Sequence, residues 1–218
     1  MGRGQFFLNR WRRFWYHAAV WRTHAIGRGR RIVLKRSRKR EVNVNEFPDA
    51  SLQPCPGLKL VRGRWPGSCF VCSEGHPHGL SLRFHHTEEG VVSCCSVPHT
   101  YCGFDGMVHG GIISALMDEA AAYALFSRHG ALGVTREMAT RFLKPVLTDT
   151  ELTVEGKVIS FAPPNAEVAM AIYDAAGVCL AEATSTWAFP RLSRIAALAG
   201  VEEKVLQGFL DECQRKDD

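Results

Sequence analysis

The 218-residue chain has no apolar run approaching the roughly 18 to 20 residues that a transmembrane helix needs. Its N-terminus lacks the continuous apolar core of a secretory signal, because the residues after Gln5 are interrupted by Asn9, Arg10, Arg12 and Arg13. Neither a Gly-x-Ser-x-Gly elbow nor a phosphate-binding loop occurs, which removes two common routes to hydrolysis. Cys69-x-x-Cys72 has no second Cys-x-x-Cys to complete a zinc site. The adjacent Cys94 and Cys95 are awkwardly placed for one ion, so no metal is expected despite His76 and His78 nearby. A redox role for the pair would want a following helix and a βαβ pattern, and neither is present. The eight cysteines are even in number. Without a secretory signal a reduced, cytoplasmic setting is the better expectation, with most thiols serving as small apolar residues.

Hydrophobic residues make up 46% and charged residues 22%, the balance of a water-soluble globular protein. The net charge of +5 conceals an asymmetry. Residues 1–46 hold 13 Lys or Arg against two acids, leaving 14 basic and 20 acidic residues in the remainder. The body is therefore acidic, and the overall charge gives no reason to expect its folded part to bind nucleic acid or membrane. The head reads as a basic extension, disordered or targeting-like, that can contact anionic surfaces; Trp11, Trp15 and Trp21 among its arginines permit a short amphipathic helix. Residues 47–68 carry Pro48, Pro54, Pro56 and Pro66 and read as a linker.

From Cys69 onward the pattern sharpens. Leu80, Leu82 and Phe84 alternate with Ser81, Arg83 and His85, predicting a half-buried strand over 79–86; Val91 to Val97 predicts a second. A loop over 103–108 leads to a helix opening at His109 and running to about Ser127. Four extended segments follow: Val134 to Leu143, Glu151 to Phe161, Ala166 to Tyr173, and Val178 to Phe189. Each is closed by prolines or by a Gly-containing turn. One long helix and one antiparallel sheet must bury their apolar faces on each other, an α+β arrangement over 69–190. Residues 191–218 have apolar residues at helical spacing, broken at Gly200, and read as an appended helix or two.

The central helix is apolar almost all round, so most of its surface must be covered. Two carboxylates, Asp118 and Glu119, interrupt it, and no Lys or Arg lies three or four residues away on the same helix. At least one of them is expected to face a pocket or an interface unless Arg136 or Arg141 reaches it from elsewhere, since an unpaired buried carboxylate is costly. At the front of the helix, Gly110 and Gly111 leave backbone N–H groups approachable. The unpaired donors and partial positive charge of a helix start suit a developing oxyanion.

Gly106-Met-Val-His-Gly-Gly-Ile-Ile-Ser-Ala-Leu-Met-Asp118 resembles the signature of PaaI-type hotdog thioesterases. Cys69-Phe-Val-Cys72 with His78-Gly-Leu-Ser-Leu-Arg-Phe84, and Val134-Thr-Arg-Glu-Met-Ala-Thr-Arg-Phe-Leu-Lys-Pro-Val146, are similar to flanking segments of that family. The resemblance covers about residues 69–189. It implies a hotdog fold, hydrolysis of an acyl-CoA thioester without a cofactor, and a homodimer or homotetramer with sites at the subunit interface. By the same resemblance Asp118 activates water or attacks the carbonyl, and Gly110 or Gly111 supplies the oxyanion N–H. His109 shapes the site, and Thr135 helps position water. Glu119, Arg136 and Arg141 are candidate substrate contacts. Some members carry an amide side chain before the histidine, whereas Tyr101-Cys-Gly-Phe-Asp105 has none. The alternatives are a hotdog dehydratase, whose Asp and His arrangement is absent, a non-catalytic acyl-CoA-binding or regulatory protein on the same fold, and an interaction protein docked to membrane or nucleic acid by its basic head.

Overall fold

The computed structural model describes residues 55 and 57–215, so the basic head and most of the proline-rich stretch before Cys55 lie outside the described residues. By contact density the chain divides into units at Met1–Asn43 and Val44–Asp218, and only the second is described. Its strands are β1 (His85–His86), β2 (Gly90–Ser96), β3 (Cys102–Phe104), β4 (Met107–Val108), β5 (Val134–Phe142), β6 (Glu151–Ala162), β7 (Asn165–Asp174) and β8 (Cys179–Ala188). Its helices are α1 (Gly110–His129), α2 (Leu192–Ala199) and α3 (Glu203–Gln214). Six strands form one antiparallel sheet in the order β1-β2-β6-β7-β8-β5, while β3 and β4 make a small separate hairpin. A single long helix laid on an antiparallel sheet is the arrangement that the hotdog resemblance implies.

The helix can lie close to the sheet because both sides are small at the crossing. A Cβ at Gly156 on β6 would come within 2.4 Å of the Ala120 carbonyl oxygen, and Ala120, Ala121 and Ala124 are fully buried. Val154, Val168 and Ile172 extend the sheet side of this core. On its other side α1 is covered by α3. Phe209 packs edge-on against Phe126 and Tyr123, Trp65 meets Phe209, and Phe84 stacks on Tyr123. The appended C-terminal segment is thus the second wall of the core, which accounts for a helix apolar almost all round. Gly130 ends α1 in the left-handed region at φ 56°, and Gly200 does the same for α2 at φ 69°.

Four local expectations are revised. The strand expected over 79–86 is ladder-bonded only at His85–His86, because Ser81 takes φ 49° and breaks the extended run; Leu80, Leu82 and Phe84 still alternate inward. The loop expected over 103–108 contains the β3–β4 hairpin, turned at Gly106 with φ 78°. Cys55 is bonded to Cys94 as a disulfide, whereas the remaining six cysteines are free. Val61 is buried and its N–H donates to the Phe84 carbonyl, so part of the proline-rich stretch lies on the sheet domain. Among the described residues no helix is long and apolar enough to cross a membrane.

Candidate functional site

His109 is the N-cap of α1. Its Nδ1 accepts the Gly111 N–H at 2.9 Å, and its carbonyl accepts from Ile112 at 2.9 Å and Ile113 at 3.1 Å. A ring nitrogen acting as acceptor fixes the other nitrogen as the protonated one in the neutral imidazole. This capping also divides the two glycines. The Gly111 N–H is committed to His109, which leaves the Gly110 N–H as the first-turn donor able to meet a ligand. Gly103 approaches His109 so closely that a Cβ there would lie 3.1 Å from the ring, and the His109 N–H donates to the Tyr101 carbonyl at 3.0 Å. The amide-free loop therefore positions the histidine through its backbone. Asp105 is exposed at the hairpin turn and pairs with His99 at 3.1 Å.

Asp118 lies half-buried on α1, where its Oδ1 accepts a 2.7 Å hydrogen bond from the Thr135 hydroxyl. Thr135 is aimed there by a slip in the β5–β8 ladder between Thr135 and Glu137, a bulge of the kind that redirects side chains. Asp118 and Thr135, separated by 17 residues, are thus brought together. Arg136 and Arg141 are not brought to them: both are exposed, Arg136 donating to Asn165 at 3.2 Å and Arg141 pairing with Glu182 at 2.6 Å. Arg141 lines a cavity of about 500 Å³ with Ala139, Ala169, Ala171 and Tyr173.

Glu119 turns elsewhere. Its Oε2 is 3.5 Å from Cys69 Sγ, and the Cys69, Cys72 and Glu119 donor atoms all lie within 4.8 Å of one another. Burial pushes the Glu119 carboxyl up to about 8, with the neighbouring Cys69 adding to the rise. The hydrogen bond with Cys72 holds the Cys69 thiol well below the usual range and pushes Cys72 far above it. Burial likewise raises Tyr123, whose phenol interacts with Cys72. Sequence reasoning missed this cluster. Its one legible sign was the Cys-x-x-Cys spacing, since 50 residues separate Cys69 from the carboxylate that completes it.

A helix laid on an antiparallel sheet, with a capped glycine start and a mid-helix carboxylate, defines a hotdog domain. Residues 105–181, from the β3–β4 turn into β8, match the model of the thioesterase superfamily. A protein of Saccharolobus solfataricus named, provisionally, as an esterase is 35% identical over 83 residues, 38% of this chain and 55% of its own. The match thus spans about half the length of that relative. Among solved structures, a thioesterase superfamily protein is 22% identical with a TM-score of 0.50, over 62% of this chain and 68% of its own. A hypothetical thioesterase of Streptococcus pneumoniae, solved with coenzyme A, is 24% identical with a TM-score of 0.46, over 49% of this chain and 84% of its own.

Proposed function

We propose that the chain is an acyl-CoA thioesterase whose reaction centre is shared between two copies. The observation that carries this reading is the spacing along α1. Eight residues separate Gly110 from Asp118, which at about 1.5 Å per residue is about 12 Å. An oxyanion donor must stand about 3 Å from the carbonyl oxygen, and a general base must reach the attacking water at a similar distance. One chain therefore cannot apply both groups to one thioester. A two-fold partner can. β5 is an edge strand, and Phe142 beside Gly110 is 55% exposed, while Phe104 on the nearby hairpin is 78% exposed. Antiparallel pairing of β5 with a second β5 would bury this edge and set the two α1 helices side by side in opposite directions. The partner's helix start then lies beside Asp118.

In that site Asp118 accepts a proton from water as its oxygen bonds to the thioester carbon. The Gly110 N–H and the positive end of the partner's helix stabilise the oxyanion. The tetrahedral intermediate collapses with cleavage of the C–S bond. The CoA thiolate leaves and takes up a proton, and the free acid remains. Asp118 could also attack directly, giving an anhydride that water opens; the same residues serve both routes. Thr135 holds the Asp118 carboxylate, and His109 fixes the helix start.

The test is hydrolysis of short, long and aromatic acyl-CoAs by the full chain, with two inactive variants then mixed. Asp118→Asn removes the base. Gly110→Pro removes the N–H at the first helical position, where proline is tolerated. Random reassociation of the two should restore about a quarter of the parental activity, because each mixed dimer regains one intact site. No recovery despite subunit exchange would sink the shared site. No hydrolysis by the folded parent would favour a non-catalytic acyl-CoA-binding protein.

A further inference from the structure

We propose that Cys69, Cys72 and Glu119 form a site for a thiophilic divalent cation, Zn²⁺ by the chemistry of its ligands, with a solvent-derived fourth ligand. The Cys69–Cys72 turn is already shaped for this. The Val71 N–H donates to Cys69 Sγ at 3.3 Å, the Ser73 N–H to the Cys69 carbonyl at 3.0 Å, and the Cys69 N–H to Ser73 Oγ at 2.8 Å. An N–H aimed at sulfur favours the thiolate, which is the form that binds metal. The third donor stands on a rigid helix. Bonds of about 2.3 Å to sulfur and about 2.0 Å to oxygen, at a tetrahedral angle, place S and O about 3.5 Å apart. The Cys69 Sγ to Glu119 Oε2 distance is 3.5 Å.

Chemistry points the same way. Three acidic groups share one largely buried place, and ionising them together there is costly unless a cation is shared. Two thiolates and a carboxylate make a soft, mixed donor set that suits zinc and suits Mg²⁺ or Ca²⁺ poorly. Three protein ligands leave one position open, as in sites that keep a water. Tyr123, one helical turn beyond Glu119, interacts through its phenol with Cys72 and is placed to support that sulfur from outside the ligand set. Cys72 also lines a surface cavity of about 380 Å³ with Ser73, Glu74 and His76, which gives an ion a way in. Binding sends the thiol protons to solvent. The ion would clamp the segment preceding the sheet to the middle of α1, at the residue next to Asp118. None of this depends on the thioesterase reading.

The experiment is metal analysis of the full chain purified from zinc-supplemented culture, followed by replacement with Co²⁺ and absorption spectroscopy. Expected are one zinc per chain and, with cobalt, a sulfur-to-metal charge-transfer band with intense tetrahedral ligand-field bands. Cys72→Ser should abolish the charge-transfer signature or reduce it severely. Tyr123→Phe should keep the spectrum and weaken zinc binding roughly tenfold or more, the scale of an outer partner. A folded parent chain that holds no zinc and gives no cobalt–thiolate band overturns the proposal whether or not any variant folds. So does full zinc retention by Cys69→Ser and Cys72→Ser, or by Glu119→Gln.

Discussion

Asp118 and Glu119 are neighbours in sequence and point about 100° apart around one helix. Asp118 turns toward β5, an edge strand, and meets a single hydroxyl. Glu119 turns toward the segment preceding the sheet and meets two thiols, beside the aromatic packing of Phe84, Tyr123 and Phe209. The two residues carry the same functional group on the same rigid support. Their surroundings alone suit one to work on a ligand arriving at an open edge and the other to hold something in place within the chain. That the second sits on a covered side follows from α3, whose Phe209 packs on Tyr123 and Phe126 of α1.

The largest effect should come from uncovering the Glu119 side. Phe209→Ala removes the ring that joins α3 to Phe126, Tyr123 and Trp65, and such deletions cost about 3–5 kcal/mol in a well-packed core. Urea unfolding should show a loss of that size, while turnover per folded molecule stays close to parental. A drop in turnover without loss of stability would mean that the two sides of α1 are not separable. Asp118→Asn should do the reverse. Loss of an acid–base group costs roughly a hundredfold or more in rate, read in kcat with the unfolding midpoint and the cobalt spectrum unchanged. If Asp118→Asn also stripped the metal, the division between the two carboxylates would fail.

Much of this architecture was legible in the sequence. The four strands after the helix were punctuated by Pro145, Pro163-Pro164, Gly177 and Pro190, and β5 to β8 lie within a few residues of where those marks put them. The helix start was legible because His109 and two glycines form a local motif. What could not be read was the outcome of competition for single atoms. Gly110 and Gly111 look equivalent until the His109 ring takes one N–H. Leu80 to Phe84 has the period of a strand, yet Ser81 adopts a positive φ that no pattern announces. Nor could spacing rules find the Cys69–Glu119 contact, because 50 residues separate the two and the third donor arrives only with the fold. The Cys55–Cys94 bond is hidden for the same reason, its partners lying 39 residues apart.

The smallest effect belongs to Thr135 and tests how far Asp118 depends on its one hydroxyl partner. Thr135→Val keeps the shape of a β-branched side chain on β5 and removes the donor of the 2.7 Å bond. A hydrogen bond to a charged group contributes about 1.5–3 kcal/mol when buried, and this one is half-exposed, so a loss near the low end, roughly tenfold in rate, is expected. It should fall on kcat with KM little changed, because the bond orients the carboxylate for reaction and touches no part of the acyl chain. Thr135→Ser, which restores the hydroxyl, should recover most of the rate. If both variants behaved like the parent, Asp118 would be held by helix and sheet alone. A shift in KM without kcat would place Thr135 against the substrate instead of behind the carboxylate.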